Sequence, residues 1–287
     1  MRFGERFTLV LVVAFGLVAC ETKMDAERRL GAKTSAKSPS AAAIDDDGAA
    51  PSAAATSTTK FGTATISGRV VLEGSVPAPS SLSATLAAKP ECGKQRASAG
   101  MGELFTQTLV TGPEGGLEDC VVYIKSGLGA RYSLGDWTAY GHPAPVVDQH
   151  GCEYVPHVVL CAIHQDVTIK SSDPFLHNVS VPSKGINDPF NTIGEKLYPK
   201  MFAKSGPQNF ACSVHSWMAA YAYVTENPFV AKTGPDGKFE ISKLPAGSYT
   251  VSVWHEPELS IKAPKSAKIE LKDGEAKTDV VFTFTTN

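Results

Sequence analysis

Four residues in the second half of the chain have the types and the spacing of a copper site. They are His177, Cys212, His215 and Met218. A trigonal blue-copper centre needs one thiolate, two imidazoles and a weak axial thioether, and these side chains supply that donor set. The thiolate donates charge to the metal, the imidazoles suit both oxidation states, and the methionine tunes the reduction potential. The donor set therefore predicts one type 1 copper and one-electron chemistry.

Two strands and one short loop must position these ligands. A strand pattern that ends at Cys212 delivers the sulfur, a tight loop returns His215, and the next strand begins at Met218. The first histidine belongs to a different strand pattern. The adjacent Asn178 is expected to hydrogen-bond to Ser213 and so to tie the two ligand segments together.

Three other interpretations of the same residues stay open. The cysteine and the methionine could be ordinary core residues, since both types favour protein interiors. Zinc accepts the same cysteine and histidine ligands but has little use for a thioether. In the third interpretation His177 activates Cys212 as a nucleophile, which leaves Met218 and Asn178 without a role.

The ligand pattern resembles that of the cupredoxins. The short Cys-x2-His-x2-Met loop at residues 212–218 is similar to that of amicyanin, and the His-Asn-Val step at residues 177–179 is shared with plastocyanin. The resemblance implies a small antiparallel β-sandwich that holds a type 1 copper and carries out one-electron transfer. It covers residues 145–229 of this sequence.

The first twenty residues have the features of a bacterial lipoprotein signal. Two arginines precede an apolar run that is too short to span a bilayer, and small residues lead to Cys20. The pattern resembles a lipobox, which implies cleavage before Cys20 and lipidation of that residue. We therefore expect an exported, membrane-anchored lipoprotein, in the periplasm, on the outer membrane or at the cell surface. A plain secretory signal is the alternative.

Composition predicts the structure of the rest of the N-terminal region, and the net charge of the chain limits the classes of partner that it can bind. Residues 21–60 are rich in Ala, Ser, Thr, Pro and Lys, so they predict a disordered tether. As a flexible coil of about forty residues it would reach about 35 Å. The formal net charge of the chain is −2 with acids and bases interspersed, so the basic face that nucleic acid requires is not indicated.

Export makes disulfides possible, and four cysteines remain once Cys20 is lipidated and Cys212 binds copper. They allow three pairings. We favour Cys92 with Cys152, because both lie in loops that contain Gly or Pro, and we pair Cys120 with Cys161, because both adjoin apolar strand patterns.

The remaining sequence alternates in the manner of β-strands, with Gly and Pro at the turns. Strand patterns lie at residues 66–72, 104–110, 120–125 and 154–160, among others. Residues 230–287 resemble the carboxypeptidase regulatory-like, or transthyretin-like, β-sandwich through the segments 236–241 and 244–251. That resemblance implies a folding or adhesive module without catalysis. Residues 61–145 supply either a module of the same kind or extra strands to the copper domain.

Together these patterns predict an all-β protein. A cupredoxin-like antiparallel sandwich at 146–229 and a smaller transthyretin-like sandwich at 230–287 follow a signal peptide (1–20), a tether (21–60) and an N-terminal β region (61–145). The expected function is one-electron transfer with a transient redox protein, without substrate conversion, and the ring edge of His215 is expected to be the exposed entry point. The membrane is a partner through the lipid anchor only, and no small-molecule substrate is indicated.

Two other functions remain as alternatives. The chain could bind and deliver copper without cycling it, or it could be a surface binding module with incidental metal. An oxidase or a nitrite reductase is less favoured, because catalysis on a substrate needs a further open copper site.

Overall fold

The computed structural model describes residues 60–75, 78–257 and 261–286, and most regular structure in these ranges is β-strand. The all-β prediction is confirmed. The strands are β1 (Ala64–Glu73), β2 (Val121–Ser126), β3 (Val146–Gln149), β4 (Tyr154–Val155), β5 (Val158–Ala162), β6 (Val167–Ser171), β7 (His177–Val181), β8 (Ile186–Phe190), β9 (Gly194–Tyr198), β10 (Gly206–Ala211), β11 (Ala219–Thr225), β12 (Val230–Lys232), β13 (Lys238–Leu244), β14 (Gly247–Trp254), β15 (Ile261–Lys262), β16 (Ala267–Leu271) and β17 (Ala276–Thr286). The α-helices are α1 (Ser83–Ala87), α2 (Pro90–Ser98) and α3 (Leu134–Tyr140).

Several predictions concern residues that the structure does not describe. The signal peptide, the lipidated Cys20 and the tether up to residue 59 lie outside the described ranges. Within those ranges, no helix combines the length and the apolar character that a membrane crossing requires.

The first sandwich combines strands from both ends of the described chain. One sheet has the strand order β13-β1-β17-β15, the other has the order β12-β2-β14-β16, and alternate side chains from both sheets fill a common core. Strand β1 lies between β13 and β17, and β2 lies between β12 and β14. The strands of residues 61–145 therefore share sheets with those of residues 230–287 and do not form sheets of their own.

The second sandwich is built from the strands between these two stretches and carries the predicted ligands. Its sheets have the orders β5-β11-β10-β7-β8 and β4-β3-β6-β9, and they enclose a second core. The sheets are mixed, because β3 runs parallel to β6 and β5 runs parallel to β11. Parallel pairs require a long crossover connection, which the intervening strands provide in both cases.

A third apolar cluster joins the two sandwiches. Tyr223 on β11 packs between Tyr123 on β2 and Trp254 on β14, with ring centroids 5.2 and 5.3 Å away. A hydrogen bond of 2.9 Å between the buried side chains of His157 and Glu256 also connects them. Tyr223 is buried, and Tyr123 and Trp254 are partly buried, so the two sandwiches pack against each other through aromatic rings.

Two predicted strands are corrected by the structure. The pattern at 104–110 forms only an isolated bridge between Ser81 and Phe105, in a segment whose regular structure is α1 and α2. The pattern at 154–160 is split into β4 and β5, which belong to different sheets. Pro156 lies at the break, where its missing N–H removes a donor from the ladder.

Candidate metal centre

The first predicted ligand begins a central strand of the second sandwich. His177 is the first residue of β7, which lies between β10 and β8, and its ring is fully buried. Its Nδ1 atom is 3.0 Å from Nδ1 of His215. Its Nε2 atom is 2.8 Å from a carboxylate oxygen of Asp173. Nδ1 of the ring therefore faces the other candidate ligands, and Nε2 faces the Asp173 carboxylate.

The other three predicted ligands lie on the loop between β10 and β11. The loop is closed by its own backbone, because the Cys212 N–H donates to the Met218 carbonyl at 3.2 Å and the Met218 N–H donates to the His215 carbonyl at 3.0 Å. The pairing of Ala211 with Ala219 holds the two ends of the loop together. This short hairpin connection places all three side chains on the inner side of the sandwich end, where each is buried.

The structure brings the thiol and the two imidazoles to one point. The ligand atoms of His177, Cys212 and His215 all lie within 4.8 Å of one another. The Cys212 sulfur is 3.8 Å from Nδ1 of His215. Met218 is buried in the same apolar cluster as Cys212. Three of the four predicted donors, the thiol and the two imidazoles, are therefore assembled in space from two separate parts of the chain.

The electrostatics of the site favour a thiolate. Burial alone would raise the pKa of the Cys212 thiol, but hydrogen bonds from His177 and His215 and from the backbone lower it to about 5. The backbone N–H of Asn178 contributes one of these contacts, 3.5 Å from the sulfur. A thiolate is the form that binds metals, so the site is prepared for a soft cation at neutral pH.

Asp173 is a functional residue that the sequence analysis missed. Its carboxylate is fully buried and accepts hydrogen bonds from the backbone N–H groups of Gly151, at 2.8 Å, and Cys152, at 2.9 Å. It also accepts from Nε2 of His177. Because this contact uses Nε2, Nδ1 is the ring nitrogen that faces the other candidate ligands. An aspartate four residues before a candidate ligand was the available sequence signal.

Burial and the Asp173 carboxylate shift the pKa of His177 in opposite directions. Burial lowers the pKa of His177, but the Asp173 carboxylate and the Cys212 sulfur raise it above its ordinary value. Burial likewise raises the pKa of Asp173, while the hydrogen bonds from His177, Cys152 and Gly151 bring it below its usual range. The carboxylate is therefore ionised at neutral pH and supports a positive charge at the centre.

The predicted clamp between Asn178 and Ser213 is present. The Asn178 side-chain amide donates to Ser213 Oγ at 3.3 Å, and its oxygen accepts from the Ser213 N–H. The buried hydroxyl of Tyr154 adds a second connection, since it lies 2.9 Å from the carbonyl oxygens of both Asn178 and Ala211. These contacts matter because β7 and β10 pair directly only at Ser180 and Ala211.

The cysteine predictions are partly right. Cys92 and Cys152 form a disulfide, as the first favoured pairing states. Cys120 and Cys161 are both free thiols, so the second pairing is wrong. The physical reason is that Cys120 belongs to the core of the first sandwich, whereas Cys161 belongs to the core of the second.

The predicted exposure of His215 is also wrong. Only 1% of the residue is accessible to solvent. The ring of Trp217 lies 5.1 Å from it, and the indole N–H of Trp217 donates to the Cys152 carbonyl at 2.9 Å. The disulfide lies on the same side, with both sulfurs within 4.8 Å of a ring nitrogen of His215. His215 lies on a loop, yet its ring is not exposed, because the Cys92–Cys152 disulfide and Trp217 lie against it.

The donor set fits copper better than the alternatives. One low-pKa thiolate and two imidazoles, with a buried thioether on the same loop, are donors that copper accepts. Zinc would use the thiolate and the imidazoles but would leave the thioether without a role. The apolar shell formed by Met218, Phe175 and Trp217 limits the access of water to the cluster.

The sequence matches no known family model and no curated protein. Solved structures similar to part of the chain include a purple cupredoxin from Nitrosopumilus maritimus, which is 19% identical over 28% of this chain and 99% of that chain, with a TM-score of 0.25. A Cu(I) form of an amicyanin variant is 18% identical over 36% of this chain and 98% of that chain, with a TM-score of 0.24. A copper-containing nitrite reductase from Thermus scotoductus is 21% identical over 29% of this chain and 23% of that chain, with a TM-score of 0.24.

Proposed function

We propose that this protein is an exported type 1 copper protein that carries single electrons between partner proteins. The supporting observation is the convergence of Nδ1 of His177, Nδ1 of His215 and Sγ of Cys212 within 4.8 Å in a buried site. Copper bound there supplies reversible one-electron chemistry. Met218 is the proposed axial ligand.

The surrounding residues hold the ligands in one arrangement for both oxidation states. Asp173 orients the ring of His177, and the contact between Asn178 and Ser213 fixes the ligand loop to the ligand strand. Tyr154 reinforces the same connection from inside the sandwich. Since these groups are locked by hydrogen bonds, little needs to move when an electron arrives or leaves, which favours fast transfer.

The partner is proposed to be a redox protein that makes a small, transient contact. Redox encounters typically bury less than about 1,200 Å² in total. The ring edge of His215 is covered, so we place the contact at Trp217, which is partly exposed and packs against that ring. A lipid anchor at Cys20 and the tether would let the folded part approach partners from a membrane surface. We propose neither nucleic acid nor a converted substrate as a partner.

The experiment that tests this proposal is an optical spectrum of the copper-loaded protein. A covalent bond between Cu(II) and the Cys212 thiolate should produce an intense visible band, and Cys212→Ser should abolish it. Cys161→Ser is the matched control, because Cys161 is an equally buried free thiol outside the ligand cluster. A Cys212→Ser protein with an unchanged spectrum would contradict the site assignment.

Copper delivery is the second candidate function, because the covered ring of His215 is not available as a direct point of electron entry. The same donor set can hold a soft cation without cycling it. Cyclic voltammetry and a chelator competition separate the two functions. Fast, reversible voltammetry with slow copper loss supports electron transfer. Rapid transfer of copper to a chelator, with sluggish voltammetry, supports delivery.

A further inference from the structure

The Cys92–Cys152 disulfide lies directly against both histidines of the metal centre. Its two sulfurs and a ring nitrogen of His215 are all within 4.8 Å of one another. The Cys152 sulfur, a nitrogen of His177 and an oxygen of Asp173 form a second group within the same limit. Because a thiolate is the metal-binding form of cysteine, the oxidised pair is a poor ligand in this position. The number of strong donors beside His215 therefore depends on the oxidation state of this pair.

We propose that reduction of the Cys92–Cys152 disulfide creates a second Cu(I) site, formed by the two thiolates and His215. Soft thiolate ligands select Cu(I), and the two sulfurs are already adjacent. The proposal goes beyond electron transfer at Cys212, since it needs only the cluster of Cys92, Cys152 and His215.

The chemistry of the step balances with a dithiol as the reductant. Thiol–disulfide exchange breaks the S–S bond, the dithiol is oxidised to its own disulfide, and Cys92 and Cys152 each gain one electron and one proton. Binding of one Cu(I) ion then replaces the two thiol protons, which are released, by two Cu–S bonds. Copper itself is neither oxidised nor reduced in this step.

Contacts other than the S–S bond keep the two cysteines close after reduction. Helix α2 carries both Cys92 and Arg96, and the Arg96 guanidinium donates to the Gly151 carbonyl at 3.0 Å and to the Glu153 carboxylate at 2.9 Å. The Arg96 and Glu153 side chains are only 8% and 13% exposed, so this ion pair is well shielded from water. It joins α2 to the residues on either side of Cys152.

His215 connects the proposed site to the Cys212 centre. Its Nδ1 atom faces His177 and Cys212, whereas its Nε2 atom is buried and has no hydrogen-bond partner among the described residues. A neutral imidazole has one lone pair, so the ring can serve only one of the two sites at a time.

The test uses the full chain with Cys212→Ser, which removes the strong ligand of the first centre. One sample is kept oxidised, and the other is treated with a dithiol and desalted under nitrogen, with its thiols counted before use. Cu(I) is then offered from a chromophoric Cu(I) chelator. We expect reduction to add about one bound Cu(I) per chain, because two thiolates are a strong Cu(I) donor set.

Two further variants identify the ligands. The gain on reduction should disappear when Cys92→Ser and Cys152→Ser are added to the Cys212→Ser chain. X-ray absorption of the reduced, copper-loaded protein should show two sulfur ligands and one nitrogen ligand, and His215→Ala should remove the nitrogen. With His215→Ala, less chelator should be needed to withdraw half of the copper.

Three results would overturn the proposal. They are no gain of Cu(I) after the two additional thiols are verified, a gain that persists without Cys92 and Cys152, and a disulfide that is reduced only when the protein unfolds. Failure of the proposed electron-transfer function is recognised separately, by the absence of a visible band in the copper-loaded native chain.

Discussion

Replacing Asp173 by asparagine tests how the protein prepares His177 to bind a metal. The substitution keeps the size of the side chain but removes its charge and converts one acceptor oxygen into a donor NH2 group. The native carboxylate accepts three hydrogen bonds, from Gly151 N–H at 2.8 Å, Cys152 N–H at 2.9 Å and His177 Nε2 at 2.8 Å. Both oxygens are used, so an amide cannot satisfy all three donors.

The expected loss of stability follows from these three hydrogen bonds. If the amide oxygen keeps His177 and Cys152, the NH2 group faces the Gly151 N–H and leaves that buried donor unpaired, which costs about 1–3 kcal/mol. The two remaining bonds change from charged to neutral, which loses about 1 kcal/mol each. We expect the metal-free protein to lose about 3–5 kcal/mol of its free energy of unfolding, from a total that is typically about 5–15 kcal/mol. Copper affinity should fall about 10- to 100-fold, because the ring of His177 loses its orienting partner.

Urea unfolding of the metal-free protein measures the first effect, and competition with a Cu(I) chelator measures the second. Asp148→Asn is the matched control, because the Asp148 carboxylate accepts hydrogen bonds from Ser172, at the backbone N–H and at Oγ, has a long ion pair with Lys170 at 3.9 Å, and is not part of the ligand cluster. An amide can still pair with both groups of Ser172, so this control should lose less than about 1 kcal/mol and no copper affinity. Equal copper affinity in the Asp173→Asn and native proteins would refute the orienting role.

Three further predictions concern the axial ligand, pH and the anchor. Met218→Leu should keep the copper and its colour but raise the reduction potential measured by voltammetry, because loss of a weak donor destabilises Cu(II) relative to Cu(I); loss of copper binding would contradict the axial role. In the metal-free protein, the pKa of Cys212 is about 5 against an ordinary 9.0. Its contribution to stability should therefore be complete above pH 9 and disappear as the pH falls to about 5, so the difference in urea stability between the native chain and Cys212→Ser should grow with pH over this range. Cys20→Ala should block incorporation of labelled fatty acid, and a native chain that incorporates none would show that the leader is a plain secretory signal.

The ligand loop could be read from the sequence because its determinants are local. Cys212, His215 and Met218 lie within seven residues, between two alternating strand patterns, and the backbone hydrogen bonds that close the loop join the same residues. The clamp from Asn178 to Ser213 could be predicted as well, since Asn178 adjoins one ligand and Ser213 adjoins another. Such a contact can be inferred from the sequence once it is known that the two segments that carry the ligands lie side by side.

The pairing of distant parts of the chain was decided by the tertiary structure. Hydrophobic alternation indicates that Cys120 and Cys161 are buried, but it does not indicate which core each residue enters, and the structure places them in different ones. Strand β1 pairs with β17, some two hundred residues later, because that arrangement buries the apolar face of both strands in the core of the first sandwich.

The sequence by itself determined which donor atoms the candidate centre offers, because residue types and short spacings define a donor set. The tertiary structure alone decided the surroundings of that centre. Asp173 reaches His177 through a turn, and α2 brings Cys92 against His215 from more than one hundred residues away. The physical reason is that local patterns specify which side chains are buried, whereas the closest packing of the whole chain specifies which buried groups meet.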